Sequence, residues 1–506
     1  MLISPIFYGC YQLSIQLFCS KKNDVLTKYW TDTGLNRMKI GCMINLNSRL
    51  WCIVPLLVIS IQQLTAQEKL TIKEAVEMAV TNYGNIRAKG YYAASSKALA
   101  GQAKREYLPD LTLSAQQDYG TVNGIISPLW GFGGYGVSSS GLPRSEQNWD
   151  AAFGASYVAN INWEVFAFGR ASKRIQTAEA VADQDQKDLT QEIFQHQVKV
   201  ASAYLDGVAA HKLTASFERN MERAETFQQI VKAKARNGLI AGVDSSQADA
   251  EFSNAKIAYL KSLDRELEAQ NKLLNLIGAG DQEFTLDTLF LSQIPYGFIA
   301  DTSFSTHPVL EWYRARVNVN ERQTAYVRTF KYPSIAMIGI VQTRASGFGP
   351  TYNVDNTDFN HSYWDGISPT RSNYLVGVGL TWNLSQILRA SKQVQSQKFI
   401  NQALLEEYRQ TDQQIRLQAT LSDKKLQNAL ESAEEAPVQV KAASQAYQRQ
   451  VALYENGLTD LVNVTQALYL LIRAETDHAI ATNTVWQALL FKAAAAGDYS
   501  LFEDQL

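Results

Sequence analysis

The residue types that most often carry chemistry are sparse in this sequence. A glycine-rich segment at 131–136 fits the GxGxxG pattern, but a nucleotide site needs a strand before that pattern and a helix after it. A Ser-Gly-Leu-Pro segment follows instead, so we interpret 131–136 as part of a loop between strands. No two histidines have the spacing of a metal-binding pair. The five are His196, His211, His307, His361 and His478. The sequence therefore predicts no enzyme, no cofactor and no metal site.

The four cysteines are confined to the start of the chain, at Cys10, Cys19, Cys42 and Cys52. The long remainder can form neither disulfides nor thiolate metal sites. The formal net charge of −2 gives no basic surface for nucleic acid. With 46% hydrophobic and 19% charged residues, the chain can bury a large core and is not disordered.

Residues 38–67 have the pattern of a secretory signal peptide. A basic flank precedes an apolar run at 50–61, and a small residue precedes the expected cleavage after Ala66. The alternative is a membrane anchor, but the apolar run is short for that. Because signal peptides occupy true N-termini, residues 1–37 are a doubtful extension. We take 1–66 as this extension plus the signal peptide.

The rest of the sequence repeats itself with a constant shift. Residues 163–173 recur as 382–392, and the Asn-Gly-Leu segment 237–239 recurs as 456–458; both shifts are 219 residues. Two distant matches with one offset indicate a tandem duplication.

We divide the mature chain into two repeats, 67–295 and 296–506. Each has a helix, a break at Pro109 or Pro333, two strands and a long helical hairpin. The long helices, of about 65 residues, reach roughly 100 Å at about 1.5 Å per residue. Pro437 lies within the second of them and is expected to kink or split it.

The strands are predicted from alternation. In 157–163 and 374–382, apolar and aromatic residues occupy one face and small or polar residues the other. This pattern is typical of membrane-barrel strands, and Trp163 and Trp382 are predicted to lie in the interfacial aromatic belt. The alternative is a half-buried sheet in a soluble domain.

Four strands cannot close a barrel, and open strand edges cannot face lipid. The chain is therefore expected to oligomerise. A dimer would supply eight strands and a trimer twelve, and physical arguments alone leave both possible.

The mature chain, about 68–495, resembles the TolC-type outer-membrane efflux family. The features that carry the resemblance are the opening 70–76, the Tyr-Leu-Pro step at 107–109, Gly169-Arg170, and the turns 237–239 and 456–458. The resemblance implies a mainly α protein with a β-barrel portion, in which a homotrimer closes a twelve-strand barrel and a helical tunnel. It also implies a periplasmic adaptor and an inner-membrane transporter as partners.

The resemblance places the turns between the long helices at the far periplasmic tip, where the adaptor docks. The residues concerned are Gly238, Leu239, Gly457 and Leu458. Glycine supplies the positive φ that lets two helices reverse, and the leucines could offer apolar knobs to the adaptor. The alternative is that these leucines only close the turns.

A constriction of the tunnel is implied near the second turn. Tyr454 matches a family tyrosine, and Asn463 and Gln466 lie where family carboxylates occur. Rings of aspartate favour cations, whereas rings of amides do not. Asp244 and Asp460 could supply a substitute ring, although aspartates at helix starts usually act as caps.

The expected function is the channel of a tripartite efflux or type I secretion system. Its expected place is the outer membrane of a Gram-negative bacterium, in contact with the lipid, with a long periplasmic portion. Export of proteins and export of small molecules are both compatible with the sequence. The alternative function is a non-transport periplasmic coiled-coil structural protein.

Overall fold

A computed structural model describes residues 69–124, 142–143, 145–280, 284–292, 295 and 306–506. Among these, Gln67–Leu506 is the compact unit to which all the elements below belong. The predicted signal peptide at 38–67 and the glycine-rich segment at 131–136 lie outside the described residues.

The elements follow the predicted order twice. The first set is β1 (Lys69–Leu70), α1 (Ile72–Asn82), α2 (Gly84–Arg105), β2 (Asp110–Thr121), β3 (Ala151–Phe166), α3 (Arg170–Arg236) and α4 (Gly242–Ile277). The second set is β4 (Thr285–Leu286), α5 (Pro308–Arg328), β5 (Ser334–Ser346), α6 (Tyr363–Ile367), β6 (Arg371–Thr381), α7 (Leu384–Glu455), α8 (Leu461–Ala496) and α9 (Ser500–Glu503).

Both ends of α8 lie 219 residues after the ends of α4, so the shift read from the sequence recurs in the helices themselves. The predicted boundary between the repeats, at 295 and 296, adjoins residues outside the described ranges and stays a prediction.

The helix predicted before the break at Pro109 is divided into α1 and α2. Thr71 begins α1 with a capping box, in which its side chain and that of Glu74 each accept a backbone N–H of the other residue. Tyr83 then has an extended backbone (ψ 119°), and its ring stacks on His196 at 3.8 Å. The break is a tertiary effect, because this stacking partner lies on α3.

The prediction that Pro437 could split the second long helix is wrong, since α7 runs continuously through it for 72 residues. An internal proline costs about 3 kcal/mol of helix stability. Pro437 is exposed, whereas Ala433 and Ala436 beside it are buried in the main core. Burial of that face along α7 offsets the lost hydrogen bond.

The four long strands form one antiparallel sheet in the order β2-β3-β5-β6. One row of paired residues runs Leu111, Ile161, Gly339, Val376 across the sheet. The alternating residues on this side form the apolar face, whose members include Leu113, Tyr157, Trp163, Met337, Val341, Tyr374, Val378 and Leu380. The alternation predicted for 157–163 and 374–382 therefore puts the apolar residues of both strands on the same face of the sheet.

The opposite side of the sheet, the polar face, is lined mainly by residues that hydrogen-bond. Its polar members include Asp110, Thr112, Ser114, Gln116, Asp118, Ser156, Asn160, Asn162, Gln342, Arg344, Arg371 and Asn373. Gln342 donates to the Ser156 hydroxyl across two strands at 3.1 Å. No helix in the described part of the chain carries an apolar stretch sufficient to cross a membrane.

The main core lies where α1, α3, α4, α7 and α8 meet. On α3, Val200, Tyr204 and Leu205 are fully buried in this core. The Tyr204 hydroxyl donates to the Leu70 carbonyl at 2.6 Å and accepts the Asp287 N–H at 2.9 Å. This one side chain therefore ties the parallel β1–β4 pair to the helices.

Two buried histidines lie where helix ends meet in this region. His196 approaches the Leu276 carbonyl at 3.1 Å. His307 accepts the Val309 N–H on Nδ1 at 3.2 Å and approaches the Ala494 carbonyl through Nε2 at 3.3 Å. An imidazole that accepts on one nitrogen and donates on the other is neutral. Burial lowers the pKa of both histidines from the usual 6.5.

We expect the folded helical portion to lose stability as the pH falls below about 6.5. The unfolded chain binds these protons first, because the folded-state pKa values are lower, so the free energy of unfolding decreases until the folded-state pKa is reached. Thermal midpoints between pH 7.5 and 5 test this. His196→Gln combined with His307→Asn should flatten the profile, and the exposed His478→Gln should not. An equal slope in all three proteins would contradict it.

Candidate functional site

The two turns between the long helices have the same conformation. Gly238 has φ +66° and Gly457 has φ +71°, so the left-handed conformation predicted for both glycines is confirmed. The N–H of the leucine after each glycine donates back into the preceding helix. Leu239 bonds the Lys234 carbonyl at 3.0 Å, and Leu458 bonds the Leu453 carbonyl at 2.9 Å. These bonds satisfy carbonyls at each helix end.

The leucines of the two turns do not complete the packing of their own hairpins. Leu239 is 70% exposed and Leu458 is 73% exposed. The predicted docking residues are therefore accessible in the single chain. Their backbone closes the turns, while their side chains point an apolar surface into solvent.

The two hairpins pack together near these turns in what we call the tip cluster. It consists of the buried residues Phe227, Val231, Ala248, Tyr454, Leu461 and Val464. Tyr454 is only 4% exposed, and its ring lies 5.5 Å from that of Phe227. The structure therefore places the predicted constriction tyrosine at a contact between the first and second hairpins.

Lys234 joins the hairpins by a second contact. Its ammonium group donates to the carbonyls of Tyr454 at 3.1 Å and Glu455 at 2.9 Å, and lies 5.0 Å above the Tyr454 ring. A cation at the C-terminus of a helix is attracted by the negative end of the helix dipole, and it satisfies carbonyls that lack helical partners. Lys234 thus fastens the end of α7 to the end of α3.

The Tyr454 hydroxyl is buried without a hydrogen-bond partner among the described residues. Burial raises the pKa of the phenol, and the carboxylate of Asp244 raises it further. The group is therefore a neutral donor at physiological pH. Asp244 is half-buried in the first turn of α4.

The other predicted constriction residues lie at the start of α8. Asp460 is the N-cap, and its carboxylate accepts the Asn463 N–H at 3.1 Å, which is the capping alternative considered for it. The Asn463 side chain donates to the Thr459 hydroxyl at 3.1 Å, and Gln466 is exposed. The chain thus brings Asp244 close to Tyr454, while Asp460, Asn463 and Gln466 lie on the exposed first turns of α8.

The two predicted interface tryptophans make equivalent bonds at the junction of sheet and helices. Trp163 donates to the Tyr107 carbonyl at 2.8 Å, and Trp382 donates to the Lys331 carbonyl at 3.1 Å. Each acceptor lies two residues before the proline that immediately precedes a strand. The indoles therefore join the end of one strand to the beginning of another in both halves.

Sequence reasoning missed the residues that connect the hairpins to each other. Arg223 binds Glu475 through two bonds, at 3.2 and 2.7 Å, and Tyr469 donates to Glu251 at 3.1 Å. Partners more than 200 residues apart leave no spacing signal in one sequence. Within the described ranges, no group of three or more histidine, cysteine or acidic residues is arranged to hold a metal ion.

The sequence profile described as "Outer membrane efflux protein" matches residues 75–279. This part of the chain is therefore similar to outer membrane efflux proteins. The match covers β2, β3 and the first hairpin, and the second half of the chain repeats those elements. No curated protein matches the sequence at a significant level.

Solved structures share the fold of this chain over most of its length. The outer membrane protein VceC from Vibrio cholerae has a TM-score of 0.68 at 15% identity, covering 85% of this chain and 96% of its own. The Campylobacter jejuni CmeC channel gives 0.69 at 14%, covering 85% and 86%. The open Neisseria gonorrhoeae MtrE channel gives 0.66 at 15%, covering 85% and 89%. At these identities the likeness shows the fold alone.

Proposed function

We propose that this protein is the outer-membrane channel of a tripartite efflux system. The observation that carries the proposal is a four-stranded sheet with one exposed apolar face, mounted on hairpins about 100 Å long. Lipid can solvate the apolar face, and the hairpins are long enough to reach across a periplasm. The family description and the fold of the relatives support the same conclusion.

The sheet also supports a trimer. Within the described residues, β2 and β6 each pair on one side only. An unpaired backbone group in lipid costs several kcal/mol, so β6 of one copy must pair with β2 of another. Three copies give the twelve strands expected for the family. Exposed apolar residues on α7, such as Leu388, Phe399 and Leu417, would be covered by the neighbouring helices of such a trimer.

The turns at the hairpin tips are the proposed docking sites for a periplasmic adaptor, which connects the channel to an inner-membrane transporter. Gly238 and Gly457 shape the turns, and Leu239 and Leu458 present the exposed apolar side chains. Tyr454 with Asp244 is the proposed constriction beside them. Asp460 has a local capping role, and Asn463 and Gln466 present amides instead of carboxylates.

The trimer is tested by electrophoresis of outer-membrane extracts with and without boiling, together with crosslinked mass. We expect a species of three chains that boiling converts to one. The alternative, a periplasmic coiled-coil spacer, is disfavoured by the exposed apolar face and predicts a protein released by a carbonate wash. Recovery of a soluble monomer would overturn the channel.

A further inference from the structure

Two arginines face each other directly across neighbouring strands. Arg344 near the end of β5 pairs with Arg371 at the start of β6. Residues directly opposite in an antiparallel pair have Cβ atoms about 5 Å apart, and like charges there are destabilising. Both side chains are exposed. The sheet therefore concentrates two positive charges at one point of its surface.

The pair lies on the polar face of the sheet. Arg344 alternates with Thr343 and Ala345, and Ala345 faces Ala155 on the apolar side. The polar row that contains Arg344 and Arg371 continues through Ser156 to Gln116. In the proposed barrel this face lines the water-filled lumen, because the apolar face must contact lipid.

The pair also lies at the end of the sheet farthest from the long helices. β3 enters α3 after Phe166, whereas Arg344 pairs with Ser156 near the other end of that strand. If the hairpins occupy the periplasm, this end opens to the exterior. The location at the mouth rests on the proposed function.

No carboxylate within the described residues forms an ion pair with either guanidinium group. Asp118 shares the polar face, but it lies two strands from Arg344, at a separation of roughly 10 Å. The Gln116 amide already donates to its carboxylate at 2.9 Å. The two arginines thus have charge and hydrogen-bond donors without a compensating acceptor.

We propose that Arg344 and Arg371 form a binding site for oxyanions at the outer mouth of the channel. Two guanidinium groups present rigid forks of N–H donors that match carboxylate and phosphate oxygens. A bound oxyanion removes the repulsion between them. The trimer carries three such sites, and its exit favours solutes that bear carboxylate or phosphate groups.

Isothermal titration of the detergent-solubilised full chain with inorganic pyrophosphate, at constant ionic strength, tests the site. We expect about one pyrophosphate per chain. Arg344→Gln with Arg371→Gln should weaken binding at least about tenfold, whereas the double lysine variant should weaken it less. Asp118→Asn should strengthen it by removing a negative charge from the same face.

The matched control removes two arginines from α7 that already have carboxylate partners, Arg409 beside Glu406 and Arg416 beside Asp412. Arg409→Gln with Arg416→Gln should bind pyrophosphate like the wild type. A control that weakens binding as much as the double glutamine variant of the site would show nonspecific attraction and overturn it.

Binding of pyrophosphate in nanodiscs with and without lipid A shows whether the arginines bind a free oxyanion or the phosphate of a lipid. A lumenal site binds pyrophosphate equally in both, whereas loss of binding in the presence of lipid A would place the arginines against the lipid and overturn the proposal.

The same preparations are run unboiled on gels. A heat-labile trimer that binds no pyrophosphate overturns the anion site alone. A chain never recovered as a trimer overturns the channel, and with it the site's place at the mouth.

Discussion

Val376→Lys is expected to abolish assembly of the protein in the outer membrane, whereas Leu375→Lys is expected to be tolerated. The two residues are adjacent exposed aliphatics of β6, with exposed fractions of 68% and 59%. They point to opposite faces of the sheet, since Val376 pairs with Gly339 and Leu375 with Ile340. Lysine on the lipid face near the bilayer midplane costs about 2–4 kcal/mol per chain, and a lumenal lysine does not.

The measurement is the amount of heat-labile trimer in outer-membrane fractions of cells that express each variant at equal levels. A soluble sheet would treat lysine at these two exposed positions alike. Equal assembly of both variants, or loss of Leu375→Lys alone, would contradict the assignment of the faces. The pair also separates the channel from the coiled-coil spacer without the need for a substrate.

Tyr454→Ala is expected to raise the conductance of the closed channel several-fold. Removal of this buried ring leaves a cavity in the tip cluster, at a cost of about 3–5 kcal/mol, and takes away the aromatic surface beneath the Lys234 ammonium group. The contact between the two hairpins then weakens where the tunnel is proposed to narrow. Single-channel recordings in planar bilayers test this.

Tyr454→Phe is the matched control, because the hydroxyl has no partner in the described part of the chain. It should conduct like the wild type unless the hydroxyl binds a neighbouring subunit. Lys234→Met keeps the stem but removes the bonds to two carbonyls, and should increase conductance less than Tyr454→Ala. Unchanged conductance in Tyr454→Ala would refute the role of the tip cluster in closure.

The repetition in the sequence made the order of elements predictable. Segments such as 163–173 and 382–392 marked equivalent strand ends, and alternation identified the apolar face that contains Trp163 and Val378. Local rules then failed where distant packing decides the outcome. The break at Tyr83 depends on His196, and continuity through Pro437 depends on the buried alanines of the main core.

The backbone of the predicted turns could be read from the sequence, whereas the contacts around them could not. Positive φ at Gly238 and Gly457 follows from the turn itself, so the residue type was sufficient to predict it. The roles of Lys234 and Arg223 were not predictable, because each binds a group on the other hairpin. Single-chain sequence patterns describe faces and ends of helices, whereas contacts between repeats require the fold.

The tryptophan hydrogen bonds hold one end of each long helix in place at the sheet, so a small tilt there is amplified along the helix. Trp163 and Trp382 fasten strand to strand where the helices leave the sheet, and α3 extends 67 residues from that point. Over about 100 Å, a tilt of one degree at the junction displaces the turn by about 1.7 Å. Rotations small enough to leave every strand pairing intact can therefore widen the proposed constriction at the distant tips.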